Sequence, residues 1–296
     1  MNSNNILGVR VDFGMSYGDV LDKIESDMLG SHKNSYICTT NPEFIMAAQK
    51  DDEFRSIINN SDLSTPDGYG VLLANDYLNT IKDKQENGKK LSKTQLFFLG
   101  MGLGFKTFSN KNKNDLRITG VELTNKICEL SAKRGYTGFL LGGWPKDKWG
   151  HMMPSDEDFA TVTSQKLVEK YPGLKVVGAT SQFSWKEKDD FASLGYIKKK
   201  MIENNVDGID FLFVAYNHGK QEKWILRNSS KIPAKVSMGV GGTFDYISGH
   251  YKQTPLFLEK KHLSWLYRAI TQPHRLKRVF TAFPAFPIKL FRSITK

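Results

Sequence analysis

This 296-residue sequence predicts an α/β fold: a Rossmann-like, mostly parallel sheet with helices on both faces, plus a basic helical appendage at the C-terminus. Short apolar strand-like runs alternate with helical patterns, and turns bearing Gly, Asn or Asp follow those runs. Basic charge gathers after residue 250. Residues 36–38 form the first such run and precede a helix that starts near Pro42. Residues 137–141 precede a second helix, and 174–177 follow it. Residues 209–215 precede the helix holding Trp224, and 236–240 end in a glycine turn. Such alternation is the pattern of strands joined by crossover helices into a parallel sheet. Ligands of these folds sit beyond the carboxyl ends of the strands. Asn41, Asp67, Gly142, Gln221 and Gly241 fall just after such strands or in the loops that follow, so they are expected to line one crevice. There is no internal repeat. The expected division is a core over 1–250 and a basic, aromatic appendage over 251–296.

Composition narrows the class. The chain is 40% hydrophobic and 25% charged, which suits one large globular domain or a domain with an appendage. Of a formal net charge of +11, the segment 251–296 supplies +9, from ten Lys or Arg against the single acid Glu259. Its basic residues alternate with Trp265, Tyr267, Phe280, Phe283, Phe286 and Phe291. Basic plus aromatic character favours an anionic membrane surface over nucleic acid. The plain alternative is a solvated basic helix packed on the core. Cys38 and Cys128 have neither disulfide-framework nor zinc spacing and read as reduced core residues. Five acids between residues 12 and 27 exclude a signal peptide from the opening segment. No run reaches the ~20 apolar residues of a spanning helix. The expected location is cytoplasmic, docked peripherally on the inner face of the membrane.

Asp67 stands between a proline and a glycine, ahead of an apolar helical run. Proline fixes one backbone angle and glycine admits conformations other residues avoid, so this turn can hold a carboxylate at a pocket rim. That placement suits a catalytic base. The competing reading makes Asp67 the cap of the helix that follows.

Other motifs follow in order: Thr39-Thr40-Asn41-Pro42-Glu43-Phe44, Arg117-Ile118-Thr119-Gly120, Gly142-Gly143-Trp144-Pro145, Gln221-Glu222-Lys223-Trp224, and Gly241-Gly242-Thr243-Phe244-Asp245. Trp265-Leu266-Tyr267-Arg268 and Gln272-Pro273-His274-Arg275 close the set. Together with Asp67 this ordered series, from about residue 37 to 278, resembles the WecG/TagA/CpsF glycosyltransferases (glycosyltransferase family 26). The resemblance implies an enzyme that moves N-acetylmannosamine, its uronic acid or a related hexose from a UDP-sugar to a polyprenyl-diphosphate-linked sugar. The product would feed a surface polysaccharide or a teichoic-acid-like polymer. It also implies an inverting mechanism with Asp67 as base, and a C-terminal appendage that closes over the site and associates with the membrane. Thr39 and Asn41 then match polar pocket residues that could hold the sugar; their plain roles are a strand-end hydroxyl and a helix cap.

Transfer from a UDP-sugar also needs positive charge at the leaving diphosphate. Arg268, Arg275 and Arg278 match family arginines, with spacings that put them on one helical face, or on adjoining turns if the helix kinks at Pro273. Arg117 is a lesser candidate, and a lipid-facing stripe is the alternative role for the three. Nucleotide contacts are assigned to Gly142, Gly143, Gly241 and Gly242, to Asp245 for uracil or ribose, and to Gln221 by resemblance; Trp224 reads as core. No metal or other cofactor is expected. The histidines have no HxxxH or HxxH spacing, and Asp156-Glu157-Asp158 lies in an insertion and reads as a cap or solvent-facing group.

The chain departs from the family pattern in three places. Asn217-His218-Gly219-Lys220 replaces a glycine–proline turn ahead of Gln221. Insertions occupy about 80–115 and 146–158. The first contains the apolar, glycine-rich stretch 96–105, read as core or oligomer contact ahead of lipid contact, between polar stretches 83–90 and 109–115. Family members self-associate, so a homo-oligomer is compatible with the resemblance. A nicotinamide-dependent oxidoreductase lacks its G-x-G-x-x-G signature, since Gly100-Met101-Gly102-Leu103-Gly104 has the wrong spacing. A non-catalytic basic module binding RNA or anionic lipid would leave the ordered interior motifs without a purpose.

Overall fold

The structure, a computed structural model, describes residues 2–31, 33–109, 116–260 and 263–295. Of the polar stretch 109–115, residues 110–115 lie outside the described residues. The chain opens with an antiparallel hairpin, β1 (Asn2–Ile6) and β2 (Val9–Phe13), turned by Leu7 and Gly8 at positive φ. Helix α1 (Tyr17–Lys23) follows, then β3 (Ser35–Thr40), α2 (Pro42–Ala47), α3 (Asp52–Asn59), β4 (Leu63–Pro66) and α4 (Tyr69–Glu86). The next elements are α5 (Lys93–Ser109), α6 (Gly120–Arg134), β5 (Thr137–Gly142), α7 (Phe159–Lys170), β6 (Lys175–Thr180) and α8 (Asp190–Glu203). The core closes with β7 (Ile209–Ala215), α9 (Lys220–Asn228), β8 (Ala234–Gly239) and α10 (Thr243–Ile247). Short helices α11 (Leu256–Lys260), α12 (Ser264–Thr271), α13 (Leu276–Phe280) and α14 (Phe286–Ile294) complete the chain.

The main sheet has six strands in the order β4-β3-β8-β7-β5-β6, every pair parallel. All carboxyl ends therefore lie along one edge, where this architecture places its ligands. The predicted α/β class and the predicted strands are all present. Two elements escaped the sequence reading. The hairpin has an Asn-rich first strand of low β-propensity. The four residues of β4 were read as part of the turn that holds Asp67.

Side chains on β7 show why the sheet is covered twice. Phe211 and Phe213 point into one core with Leu123 and Ile127 of α6 and Leu167 of α7. Leu212 and Val214 point into another with Ile197 and Met201 of α8 and Trp224 of α9. Successive strand residues face opposite sides, so a run apolar at every position needs cover on both. Trp224 is fully buried, as its motif suggested.

A third core joins the hairpin, α2, α4 and the C-terminal residues Phe286 and Leu290. Burying each of those two side chains stabilises by about 1.5–3 kcal/mol, so α14 is held against α2 and α4. The stretch 96–105 forms most of α5. Leu96 joins this core, while Phe97, Phe98 and Met101 remain exposed. Pro273 interrupts the basic segment. Gln272 adopts φ −135° and ψ 73°, outside the helical region as a residue before proline prefers, and α13 starts after a single tight turn at 273–275. The chain thus takes the kinked alternative, with the arginines on adjoining turns.

Candidate active site

Asp67 follows β4 at the carboxyl edge of the sheet. Its N–H donates to the Thr40 carbonyl at 2.8 Å, and the Ile118 N–H donates to the Pro66 carbonyl at 3.0 Å. Both bonds pin the turn between β3 and the start of α6. Gly68 then takes φ +107°, a conformation closed to most other residues. Gly70 allows α4 to approach α2, because a Cβ there would stand 2.9 Å from Pro42. The capping alternative for Asp67 is wrong: Gly68 occupies the cap position of α4, with no side-chain hydrogen bond. The N–H of Gly120, the first residue of α6, instead faces the Asp67 carboxylate and favours its charged form. A helix N-terminus carries partial positive charge, which favours an ionised carboxylate there. Burial nevertheless pushes Asp67 above the usual carboxylate range, against the opposing pull of Arg117 and Arg268.

The guanidinium groups come from α12, α13 and the turn between them, and from the residue ahead of α6. Arg268 lies over the Tyr246 ring at 5.2 Å. Arg275 lies 5.9 Å from the rings of both Tyr246 and Tyr251, and 4.0 Å from the Asp245 carboxylate. Arg117 contacts Glu259 at 3.1 Å and stacks 4.7 Å over Tyr69. Arg278 donates to Glu43 at 2.5 Å. The Nε groups of Arg117, Arg268 and Arg275 are buried, and no described residue accepts from them. Buried donors are normally paired, so three orphaned ones on cationic groups mark a place built for anionic oxygens. Burial pushes the Arg275 guanidinium down from its ordinary value, and its tyrosine neighbours and Asp245 act against that.

Beside them stand the polar and glycine positions. Thr39 is buried, and its hydroxyl sits 3.3 Å from where a Cβ on Gly120 would be. Asn41 Oδ1 accepts from the N–H groups of Glu43 and Phe44 and caps α2, which leaves only its Nδ2 for a ligand. Gln221 is 1% exposed. It donates to Glu222 at 2.7 Å and accepts from the Gly241 N–H at 2.9 Å. It therefore clamps the loop after β8 to the start of α9. Glu222 is buried beneath it and pushed up to about 7 by that burial. The turn ahead of Gln221 forms despite its altered sequence, with Asn217 and Gly219 at φ +67° and +78°.

The four nucleotide-assigned glycines divide in two. A Cβ on Gly142 would stand 2.6 Å from the Tyr216 ring, and one on Gly143 would stand 2.9 Å from Phe244. Those two serve close packing within the protein. Gly241 has no atom within 4 Å of its Cβ position and faces open space. Gly242 backs onto Asp245 and Arg275.

A cavity of about 1480 Å³ brings most of the site together. Thr39, Asn41, Asp67, Gln221, Gly241, Gly242 and all four arginines line it. Gly142 does not; Gly143 and Asp245 line a small adjoining cavity with Lys146, which shares Gly241 and Gly242 with the large one. Lys146 was missed because it opens an insertion read only as loop lengthening; its place just after Gly142-Gly143-Trp144-Pro145 was the available signal. Burial pushes its ammonium down. Glu43 stood in the motif after β3, but its role in positioning Arg278 gave no signal in the sequence, and neither did Tyr246 beneath Arg268 and Arg275, since these partners lie far along the chain. Among the described residues, no group of three His, Cys, Asp or Glu could hold a metal ion. Asp158 caps α7 and accepts from the Ser181 N–H.

A parallel α/β sheet whose carboxyl edge sets Asp67 beside guanidinium groups with buried Nε donors that no described residue accepts from is a site suited to anionic, phosphorylated ligands. The chain belongs to the glycosyl transferase WecG/TagA/CpsF family, whose model matches residues 4–97 and 96–296. The family resemblance carried by the motifs is borne out, and the protein is a glycosyltransferase. One relative is the N-acetylglucosaminyldiphosphoundecaprenol N-acetyl-beta-D-mannosaminyltransferase of Bacillus subtilis (strain 168). It is 24% identical over 261 residues, which cover 88% of this chain and 81% of that protein. The enzyme of the same name from Staphylococcus aureus (strain MRSA252) is 22% identical over 268 residues, 90% of this chain and 83% of that protein.

Proposed function

We propose that this enzyme transfers N-acetylmannosamine, or a close relative such as its uronic acid, from a UDP-sugar to N-acetylglucosamine on a polyprenyl diphosphate. One observation carries the chemistry: Asp67 shares a cavity with three guanidinium groups whose buried Nε donors lack partners among the described residues. The names of the relatives support the sugar and the lipid-linked acceptor. In this reading Asp67 takes the proton of the acceptor hydroxyl as that oxygen attacks the anomeric carbon. The bond from that carbon to the UDP oxygen breaks, and UDP leaves with the electron pair. A single displacement inverts the anomeric centre. Arg268 and Arg275 neutralise the departing diphosphate, so the step needs no metal. The test is a panel of UDP-sugars offered with a lipid-diphosphate N-acetylglucosamine acceptor, with and without EDTA, and read by mass spectrometry. One donor should yield a disaccharide-lipid in both conditions. Absence of product with every donor would reject the substrate assignment, and loss of product with EDTA would reject the metal-free step.

We also propose that the basic C-terminal segment docks on the inner face of the membrane. No helix among the described residues is long and apolar enough to cross one. Lys277 and Arg292 are exposed and do not line the cavity, and Ile270 is 70% exposed. Each basic residue near an anionic surface is worth about 1 kcal/mol. The double substitution Lys277→Glu, Arg292→Glu should therefore weaken sedimentation with phosphatidylglycerol vesicles by roughly thirty-fold or more. Unchanged partition would overturn this docking surface.

A further inference from the structure

The cavity that holds Asp67 has a volume of about 1480 Å³, above the roughly 300–1,000 Å³ of a pocket for one drug-sized ligand. One part of its wall is polar and cationic; another is apolar. Helix α5 builds much of the apolar part. From residue 94 to 105 this helix carries no charged side chain. Phe97, Gly100, Met101 and Gly104 line the cavity, and their spacing places them along one helical face. Across from them stand Phe283, Phe286 and Phe291, with Phe291 meeting Phe97 edge-on at 6.3 Å between ring centres.

Two glycines on that face do different things. Gly100 faces α4: a Cβ there would make ordinary contact, 3.6 Å from the Tyr77 ring, whose hydroxyl donates to the Leu96 carbonyl at 3.1 Å. Gly104 lies one turn further along. It lines the cavity, yet among the described residues no atom lies within 4 Å of its Cβ position. A mid-helix glycine costs about 1 kcal/mol relative to alanine. At Gly104 no neighbouring atom accounts for that cost, so the position keeps space free inside the cavity.

We infer that α5, with α4 and the segment 283–291, forms a cradle for the isoprenoid chain of the acceptor next to its diphosphate. The inference rests on the lipid-linked acceptor proposed above. An amphiphile with an anionic head and a branched hydrocarbon tail needs a cationic site that runs directly into an apolar one, and this cavity has both. The apolar stretch 96–105, read from sequence as core or oligomer contact ahead of lipid contact, is then a substrate-binding element.

The test is Gly104→Leu. It fills open space at a helical position with a better helix former, so the fold is preserved. Gly102→Leu is its control: the same helix, open space at the Cβ position, and no place in the cavity wall. Two acceptors share one sugar-diphosphate head, one carrying an isoprenoid chain and the other a methyl group. Gly104→Leu should lower kcat/KM for the isoprenoid acceptor on the order of tenfold while leaving the methyl acceptor unchanged. Gly102→Leu should change neither. An unaltered preference in Gly104→Leu, or an equal loss with both acceptors, would overturn the cradle. Failure of the unsubstituted enzyme to glycosylate either acceptor would instead reject the acceptor assignment, and the cradle with it.

Discussion

Asp67→Asn is expected to lower kcat by about 10²–10⁴-fold, the range a positioned general base supplies, with UDP binding intact by calorimetry. The amide keeps the shape of the side chain and one oxygen to face the Gly120 N–H. It removes only the capacity to take a proton. The pH profile provides a second check on the same residue. Burial raises Asp67 above the ordinary carboxylate range, so the acid limb of the unsubstituted enzyme's rate should lie above that range and rise as Asp67 deprotonates. Stability has the opposite sign. A carboxyl raised by folding contributes stability that is fully present below its unfolded pKa and lost as pH rises through the folded one. At neutral pH the charged, partly desolvated Asp67 therefore costs stability, and Asp67→Asn should melt no lower than the unsubstituted protein. Turnover near normal in this variant would reject the base.

Arg275→Ala should lower the single-turnover rate by about 10²–10³-fold, the usual loss when one preorganised donor to a developing charge is removed. Arg275 is closely enclosed. Its side chain is 12% exposed, it touches two tyrosine rings, and its buried Nε has no partner among the described residues. A lysine has neither a planar fork nor the same stacking, so Arg275→Lys should fail to restore the rate. Full activity in Arg275→Lys would show that charge alone suffices and that the stacked geometry is incidental. A loss under about tenfold in Arg275→Ala, against that same expectation, would place the leaving group elsewhere.

Much of this architecture was legible in the linear chain because its signals are local. Apolar runs such as 209–215, with helical patterns between them, predict a buried parallel strand without any knowledge of its neighbours. Pro66 and Gly68 around Asp67 mark a turn, and Pro273 marks a break in the basic segment, since both residues constrain the backbone where they stand. The ordered motifs were enough to identify the family.

Tertiary structure decided what each polar group is free to do. Gln221 looks like a ligand contact in its motif, yet both ends of its amide are used within the protein. Gly142 and Gly241 have the same local signal, but one faces the Tyr216 ring and the other open space. Asp67 could have been a helix cap until the fold set Gly68 in that position and aimed Gly120 at the carboxylate. Sequence by itself determined five of the six strands of the parallel sheet, the turn at Asp67, the break at Pro273 and the kind of enzyme, because hydrophobic period and backbone constraint act over a few residues. Only the folded chain decided which charges lack partners and where space stays open, because a partner such as Glu43 for Arg278 comes from a distant part of the sequence.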